Sequence, residues 1–182
     1  MNVAVYSGSF NPLHKGHLAI IRHLTEVDAF DEVRLIVSPQ NPFKDASNRD
    51  SAEDRLNAAR ETLAKYPDLK VKVDDIEFRM PPPQYTIRTL DALRAGEPEN
   101  RFTLVVGADN LESFPRWRDY GRILLEYGIA VFPRKGYHRG HLKARLMKEN
   151  PEYRITLLDA PLVNISSTEI RQGLKNAEKW KA

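Results

Sequence analysis

The stretch Asn2-Val3-Ala4-Val5-Tyr6-Ser7-Gly8-Ser9-Phe10-Asn11-Pro12-Leu13-His14-Lys15-Gly16-His17 decides how the rest of the chain is read. Asn2 to Tyr6 is short, apolar and rich in β-branched residues, and Gly8 interrupts it, which reads as a buried strand. Leu18, Ile20, Ile21 and Leu24 then recur at helical spacing, so a helix is predicted over residues 16 to about 27. Between the two, Gly8 offers a backbone position where no Cβ obstructs an approaching anion, and Pro12 stiffens the chain just ahead of the helix. His14 and His17 fall at or just before the first helical turn, where free N–H groups and the helix dipole already favour an anion. A bare H-x-x-H pair is weak, and either histidine alone fits a surface or core role equally well. The full pattern G-x-F-x-P-x-H-x-G-H, set directly between a strand and a helix, is far more specific. No acid or third histidine stands at metal-ligand spacing beside the pair, so no metal ligand from the protein is expected.

Working outward, Val33 to Val37 reads as a second strand ended by the turn residues Ser38-Pro39-Gln40-Asn41-Pro42. Ser51 with Asp54 gives a capping-box pattern ahead of Leu56, Ala59 and Leu63, predicting a helix over about 51–65. Val71 and Val73, then Ile76 and Phe78, suggest a third strand or a bent pair. Pro81, Pro82 and Pro83 exclude regular structure, and a helix from about Tyr85 to Arg94 stops at Gly96. Phe102 to Val106, Gly128 to Phe132 and Arg154 to Leu158 supply further strands. Helical stretches are expected after Gly107-Ala108-Asp109, up to a break at Pro115, and over about 141–149 and 167–174. This alternation predicts an α/β fold, a Rossmann-like doubly wound parallel sheet with helices on both faces, formed by residues 1–182 as a single domain. In such sheets ligands bind beyond the carboxyl ends of the strands, which singles out the loops after the first strand, the second, the 102–106 strand and the strand ending near Phe132.

Composition narrows the chemistry. The 182 residues include no cysteine, which removes thiol nucleophiles, disulfides and thiolate zinc sites. A net charge of +3 with a pI near 9.1 is too mild to announce nucleic-acid binding, and it suits an anionic small ligand. The densest basic stretch runs from Arg134 to Lys148. It reads as a loop and a solvated helix face, with Arg134 alone a candidate phosphate contact. Apolar runs are far shorter than the roughly 18 residues of a membrane span, and the start of the chain has no signal-peptide layout, so a cytoplasmic protein with no membrane partner is expected.

Near the other end, Ile165-Ser166-Ser167-Thr168-Glu169-Ile170-Arg171 places Ser and Thr ahead of an amphipathic turn. Taken alone this is a plain helix N-cap. Taken with the first loop it is a second helix start aimed at phosphates, with Arg171 able to bind phosphate oxygens bidentately.

The two motifs together resemble the nucleotidyltransferase superfamily marked by an HxGH loop and a C-terminal SxTxxR turn. Gln84-Tyr85-Thr86-Ile87-Arg88-Thr89-Leu90, Gly107-Ala108-Asp109-Asn110-Leu111, Trp117 and Val131-Phe132-Pro133-Arg134-Lys135-Gly136 make the chain similar, within it, to the bacterial nicotinate-nucleotide adenylyltransferases. That resemblance implies ATP and nicotinate mononucleotide as partners, Mg2+ accompanying ATP, and no nucleic acid. It implies catalytic roles for His14, His17, Lys44 and Arg171. It implies ATP contacts from Gly8, Ser9, Phe10, Gly107, Asp109, Arg134, Ser167 and Thr168, and a pyridine pocket of Tyr85, Thr86 and Trp117. Without the motifs, Trp117 reads as a packed aromatic, Tyr85 and Thr86 as a helix start, Asp109 as an N-cap and Lys44 as a solvated loop cation. Asn41-Pro42-Phe43-Lys44 replaces the family's proline-proline-histidine-lysine, Arg88 stands where aspartate is usual, and the stretch after Arg171 is shorter than the customary tail. The rival readings are adenylyl transfer to nicotinamide mononucleotide or phosphopantetheine, or a non-catalytic nucleotide-binding module. A homo-oligomer is left open.

Overall fold

The computed structural model describes residues 1–28, 30–39, 51–162, 166–173 and 177–182. Strands β1 (Asn2–Gly8), β2 (Glu32–Val37), β3 (Val71–Asp74), β4 (Arg101–Gly107), β5 (Ile129–Phe132) and β6 (Ile155–Leu157) form one sheet in the order β3-β2-β1-β4-β5-β6. Every pairing is parallel, from Val33↔Val71 at one edge to Val131↔Leu157 at the other. The order reverses beside β1, so β1 and β4 part at their carboxyl ends and leave a crevice there.

A sheet covered on both sides must be apolar on both, and the strands obey. Ala4, Tyr6, Val33, Leu35, Val37, Val105 and Ala130 turn to one face, where helices α1 (Lys15–Glu26) and α2 (Ala52–Ala64) supply Leu18, Ile21, Leu24, Leu56 and Leu63. Val3, Val5, Ile36, Leu104, Val106, Ile129 and Val131 turn to the other. They meet Ile87, Leu90 and Leu93 of α3 (Thr86–Gly96), Leu111 of α4 (Ala108–Ser113) and Leu146 of α6 (Arg139–Glu149). Period-two alternation thus sorts one strand's residues between two cores, which is why these strands read as continuous apolar runs.

Several boundaries differ from expectation. Ile76 and Phe78 belong to a 3-10 turn, Ile76–Arg79, and not to a strand: Asp74 Oδ1 accepts the Ile76 N–H at 2.9 Å and turns the chain out of the sheet. A helical stretch not expected from the sequence, α5 (Tyr120–Arg122) running into the π-helical Ile123–Tyr127, fills the crossover to β5. Helix α6 starts at Arg139, because His138 caps it by accepting the His141 N–H at 3.2 Å. The last helix, α7, is Ser167–Arg171, and Leu174 lies outside the described residues. Residues 177–180 make a 3-10 turn, after which Lys181 pairs with His14 in an isolated antiparallel bridge.

Far from the crevice, Arg34 is 2% exposed and meets Glu32, Asp74 and Glu97 at 3.0, 3.1 and 2.7 Å. Those hydrogen bonds outweigh its desolvation and raise its affinity for its proton.

Candidate functional site

His14 is the N-cap of α1, in extended backbone conformation, and its Nδ1 accepts the Gly16 N–H at 3.0 Å. His17, on the first turn, returns the bond: its Nδ1 accepts the His14 N–H at 3.0 Å. The two imidazoles stack with centroids 3.7 Å apart and planes at 27°. A ring nitrogen that accepts a backbone N–H holds its lone pair there, so each ring carries its proton on Nε2. Burial opposes charging either ring, and Arg134 adds repulsion. His14 is pushed down to about 4, and His17 is held well below the ordinary histidine value by burial, then by His14, then by Arg134. Reciprocal capping and desolvation therefore yield two neutral N–H donors at a helix start.

Phe10 supports the pair from beneath. Its φ is +47°, unusual for a bulky residue, and its buried ring packs edge-on against His17 at 5.1 Å and Tyr6 at 5.4 Å. The Phe10 ring also occupies the space beside Gly8, where an added Cβ would stand 3.4 Å from it. Gly8 thus accommodates an aromatic ring, whereas its bareness in the sequence suggested room for an anion.

The two terminal motifs are bonded to each other. Ser167 Oγ donates to Pro12 O at 2.9 Å, and the Arg171 guanidinium donates to Asn11 O and, at 3.0 Å, to Thr168 Oγ1. A reciprocal capping box, Ser166 with Glu169, starts α7. The cleft between the motifs holds about 200 Å³ and is lined by Ser9, His14, Gly16, His17, Arg134, Ser167, Thr168 and Arg171, with Tyr6, Ile20, Phe132 and Ser166 completing the wall. The last four were not singled out from sequence; all but Ser166 are apolar or aromatic, and their alternation looks like that of any core strand or helix.

Asp109 sits on the first turn of α4, after Gly107, and its Oδ1 lies 3.5 Å from Arg134 Nε. A Cβ at Gly107 would come within 2.5 Å of that same Oδ1 and 3.0 Å of the Phe132 ring, so a side chain there would have to displace the Asp109 carboxylate from this ion pair. Gly8, Phe10, Gly107 and Asp109 are not among the residues lining this cleft. Lys44 lies outside the described residues. Among the described residues, no three His, Asp or Glu side chains converge as a metal-ligand set. The lining offers hydroxyls, imidazoles and guanidiniums, a donor set that fits a magnesium ion carried in by phosphates better than a resident one.

A second pocket, of about 230 Å³, brings together the predicted Tyr85, Thr86 and Trp117 with Gln84, Arg116 and Arg118. Trp117 packs on Phe114 with centroids 4.8 Å apart, and the Arg118 guanidinium lies 4.5 Å over the Tyr85 ring. Tyr85 caps α3 through backbone alone, leaving the helix's first N–H groups without a side-chain acceptor. Arg88 is not among the lining residues and donates to Pro83 O at 3.1 Å, so it braces the proline turn.

A family model described as cytidylyltransferase-like matches residues 5–173. A probable nicotinate-nucleotide adenylyltransferase of Bacteroides fragilis is 39% identical over 170 residues, covering 93% of this chain and 80% of the relative. The chain belongs to the cytidylyltransferase-like family, among its nicotinate-nucleotide adenylyltransferases. A counterpart from Flavobacterium johnsoniae is 36% identical over 178 residues, covering 98% of this chain and 89% of its own length. The fold matches the Plasmodium falciparum nicotinic acid mononucleotide adenylyltransferase complexed with NaAD, with a TM-score of 0.76 over 99% of this chain and 90% of that one, at 17% identity. Two chains so far apart in sequence share the doubly wound sheet.

Proposed function

We infer that this chain transfers the adenylyl group of ATP to nicotinate mononucleotide, releasing pyrophosphate and forming the deamido dinucleotide, a step in NAD biosynthesis. The observation that carries the chemistry is the bonded pairing of Asn11 and Pro12 with Ser167 and Arg171 beside two imidazoles held as N–H donors. Names of relatives at up to 39% identity supply the acceptor.

In this reading the 5′-phosphate of the acceptor attacks the α-phosphorus of MgATP in line. A P–O bond forms to the acceptor as the bond to the leaving pyrophosphate breaks. The attacking oxygen is already anionic at neutral pH, so no general base is required, and catalysis rests on alignment and charge stabilisation. His17 Nε2–H serves the α-phosphate and His14 the neighbouring phosphate. Ser167, Thr168 and Arg171 hold the β- and γ-phosphates, with Ser9 and Arg134 contributing nearby, and the resemblance gives Lys44 a phosphate role as well. Gly107 and Asp109 shape the nucleotide side, Gly8 and Phe10 hold the loop, and Mg2+ enters with ATP, coordinated by phosphates and water. Trp117 offers the pyridine ring an aromatic face, and the N–H groups that begin α3, Thr86 first among them, receive its carboxylate, the Tyr85 N–H being given to Pro83 O at 3.0 Å. Residues 1–182 act as one domain in the cytoplasm, and a homo-oligomer is compatible with this site.

The test is pyrophosphate release from MgATP with nicotinate mononucleotide, nicotinamide mononucleotide or phosphopantetheine. The nicotinate compound should give the highest kcat/KM. A clear preference for either rival overturns the acceptor assignment, and nucleotide binding without turnover on any of them overturns the activity.

A further inference from the structure

Arg55 is 2% exposed, although it sits in a helix whose other buried positions are apolar. One terminal nitrogen, Nη1, donates to both Ser9 O and Ser38 O at 2.8 Å, and Nη2 donates to Pro39 O at 3.3 Å. The ladder between β1 and β2 ends at Gly8↔Val37, with one last bond from Ser38 N–H to Gly8 O at 2.9 Å. Beyond it the two chains separate, and the guanidinium bridges them from the side of α2.

The Ser9 carbonyl belongs to the peptide plane that precedes Phe10. A bond that holds this oxygen orients the plane from which the left-handed φ of +47° at Phe10 turns the chain. The Phe10 ring in turn abuts the His17 imidazole at 5.1 Å. The Ser38 side chain also opposes the rise that burial gives the Glu77 carboxyl, which accepts the Thr89 hydroxyl of α3 at 2.8 Å. One side chain therefore braces both the loop carrying the imidazoles and the chain leaving β2. A buried guanidinium is costly unless its donors are used, and here both terminal nitrogens donate to loop carbonyls at the site's edge.

We propose that Arg55 is a positioning residue for adenylyl transfer, setting the Ser9–Phe10 peptide plane and thereby the placement of His17. The proposal rests on the reaction inferred above. Displacing a donor by about 1 Å can lower turnover on the order of a hundredfold. The experiment compares the parent with Arg55→Lys and Arg55→Met, measuring kcat, KM for ATP, melting temperature and the 15N resonances that report imidazole tautomers. Expected are a folded Arg55→Lys with kcat lower by about a hundredfold, KM for ATP within about threefold, and His17 signals moved away from the single Nε2–H form. Arg55→Met should lose at least as much. A folded Arg55→Lys with kcat within threefold of the parent overturns the proposal, as does a kcat loss with unmoved His17 signals or an Arg55→Lys that no longer folds. If the parent itself releases no pyrophosphate with any acceptor, the reaction is wrong, and the His17 resonances still decide what Arg55 does.

Discussion

His14 should make the unliganded protein lose stability between pH 7 and pH 5 by an amount that one substitution removes. His14 titrates near 4 when folded, against an ordinary 6.5. On acidification the unfolded chain therefore takes up the proton first, so this contribution to stability is fully present above about pH 6.5 and is lost as pH falls toward 4. For those two values the difference in proton binding amounts to about 2 kcal/mol between pH 7 and pH 5. His14 borders an open cleft, and solvent screening on that side reduces the figure to about 1–2 kcal/mol. His17, also pushed down, adds a contribution of the same sign. Glu77, whose burial raises its carboxyl, works in the opposite direction. It is common to parent and variant and drops out of their difference. His14→Asn keeps a cap acceptor near the Gly16 N–H and does not titrate. Urea unfolding at pH 7, 6 and 5 without ATP should show the parent losing about 1–2 kcal/mol more than His14→Asn across that range, at equal m-values. Parallel curves for the two proteins would refute the neutral, desolvated imidazole and with it the donor role built on it.

Two further outcomes bear on the roles. His17→Ala should lower kcat by about 10²–10³ while costing the fold only on the order of 1 kcal/mol for the missing cap acceptor, and near-normal pyrophosphate release from a folded variant would sink the α-phosphate assignment. Trp117→Ala should raise KM for nicotinate mononucleotide on the order of tenfold with KM for ATP unchanged, because ring stacking is worth about 1 kcal/mol; a variant with both constants at parental values removes Trp117 from the pyridine pocket.

Strand patterning made the fold readable because a sheet buried on both faces leaves runs such as Val33 to Val37 and Phe102 to Val106 with no other use. What patterning could not deliver was the path between elements. Ile76 and Phe78 keep the spacing of a strand, yet Asp74 turns its carboxylate back onto the Ile76 N–H and the chain leaves the sheet. Tyr120 to Tyr127 packs Ile123, Leu124 and Tyr127 into the core through a π-helical turn, whose spacing matches neither period sought in the sequence. In the site, the terminal motifs were legible by their residue types and their places beside predicted helix starts. Arg55 was not, although a signal existed: Arg55, Ala59 and Leu63 fall four apart on one helical stripe. A lone arginine on an apolar stripe is a buried cation that must find acceptors, and the strand ends were the acceptors within reach. Arg116 and Arg118 drew no reading from the sequence, and the fold sets them beside Tyr85 and Trp117.

A second H-x-G-H in the same chain shows what the motif contributes and what it does not. His138-Arg139-Gly140-His141 begins α6 as His14-Lys15-Gly16-His17 begins α1. His138 caps its helix with Nδ1, and its ring stacks on His141 at 4.0 Å and 27°, against 3.7 Å and 27° in the first pair. Four residues are thus sufficient for the cap and the stack. Both rings of the second pair are exposed, where water competes for every N–H, whereas His14 is 3% exposed and faces a cleft with Arg134 and Arg171 on its walls. A donor in a partly dry, positively charged cleft is worth far more to a phosphate than the same donor in water. The chemistry of the first pair therefore comes from its surroundings, namely the carboxyl end of β1, the Phe10 ring behind His17, and a C-terminal turn bonded back onto Asn11 and Pro12.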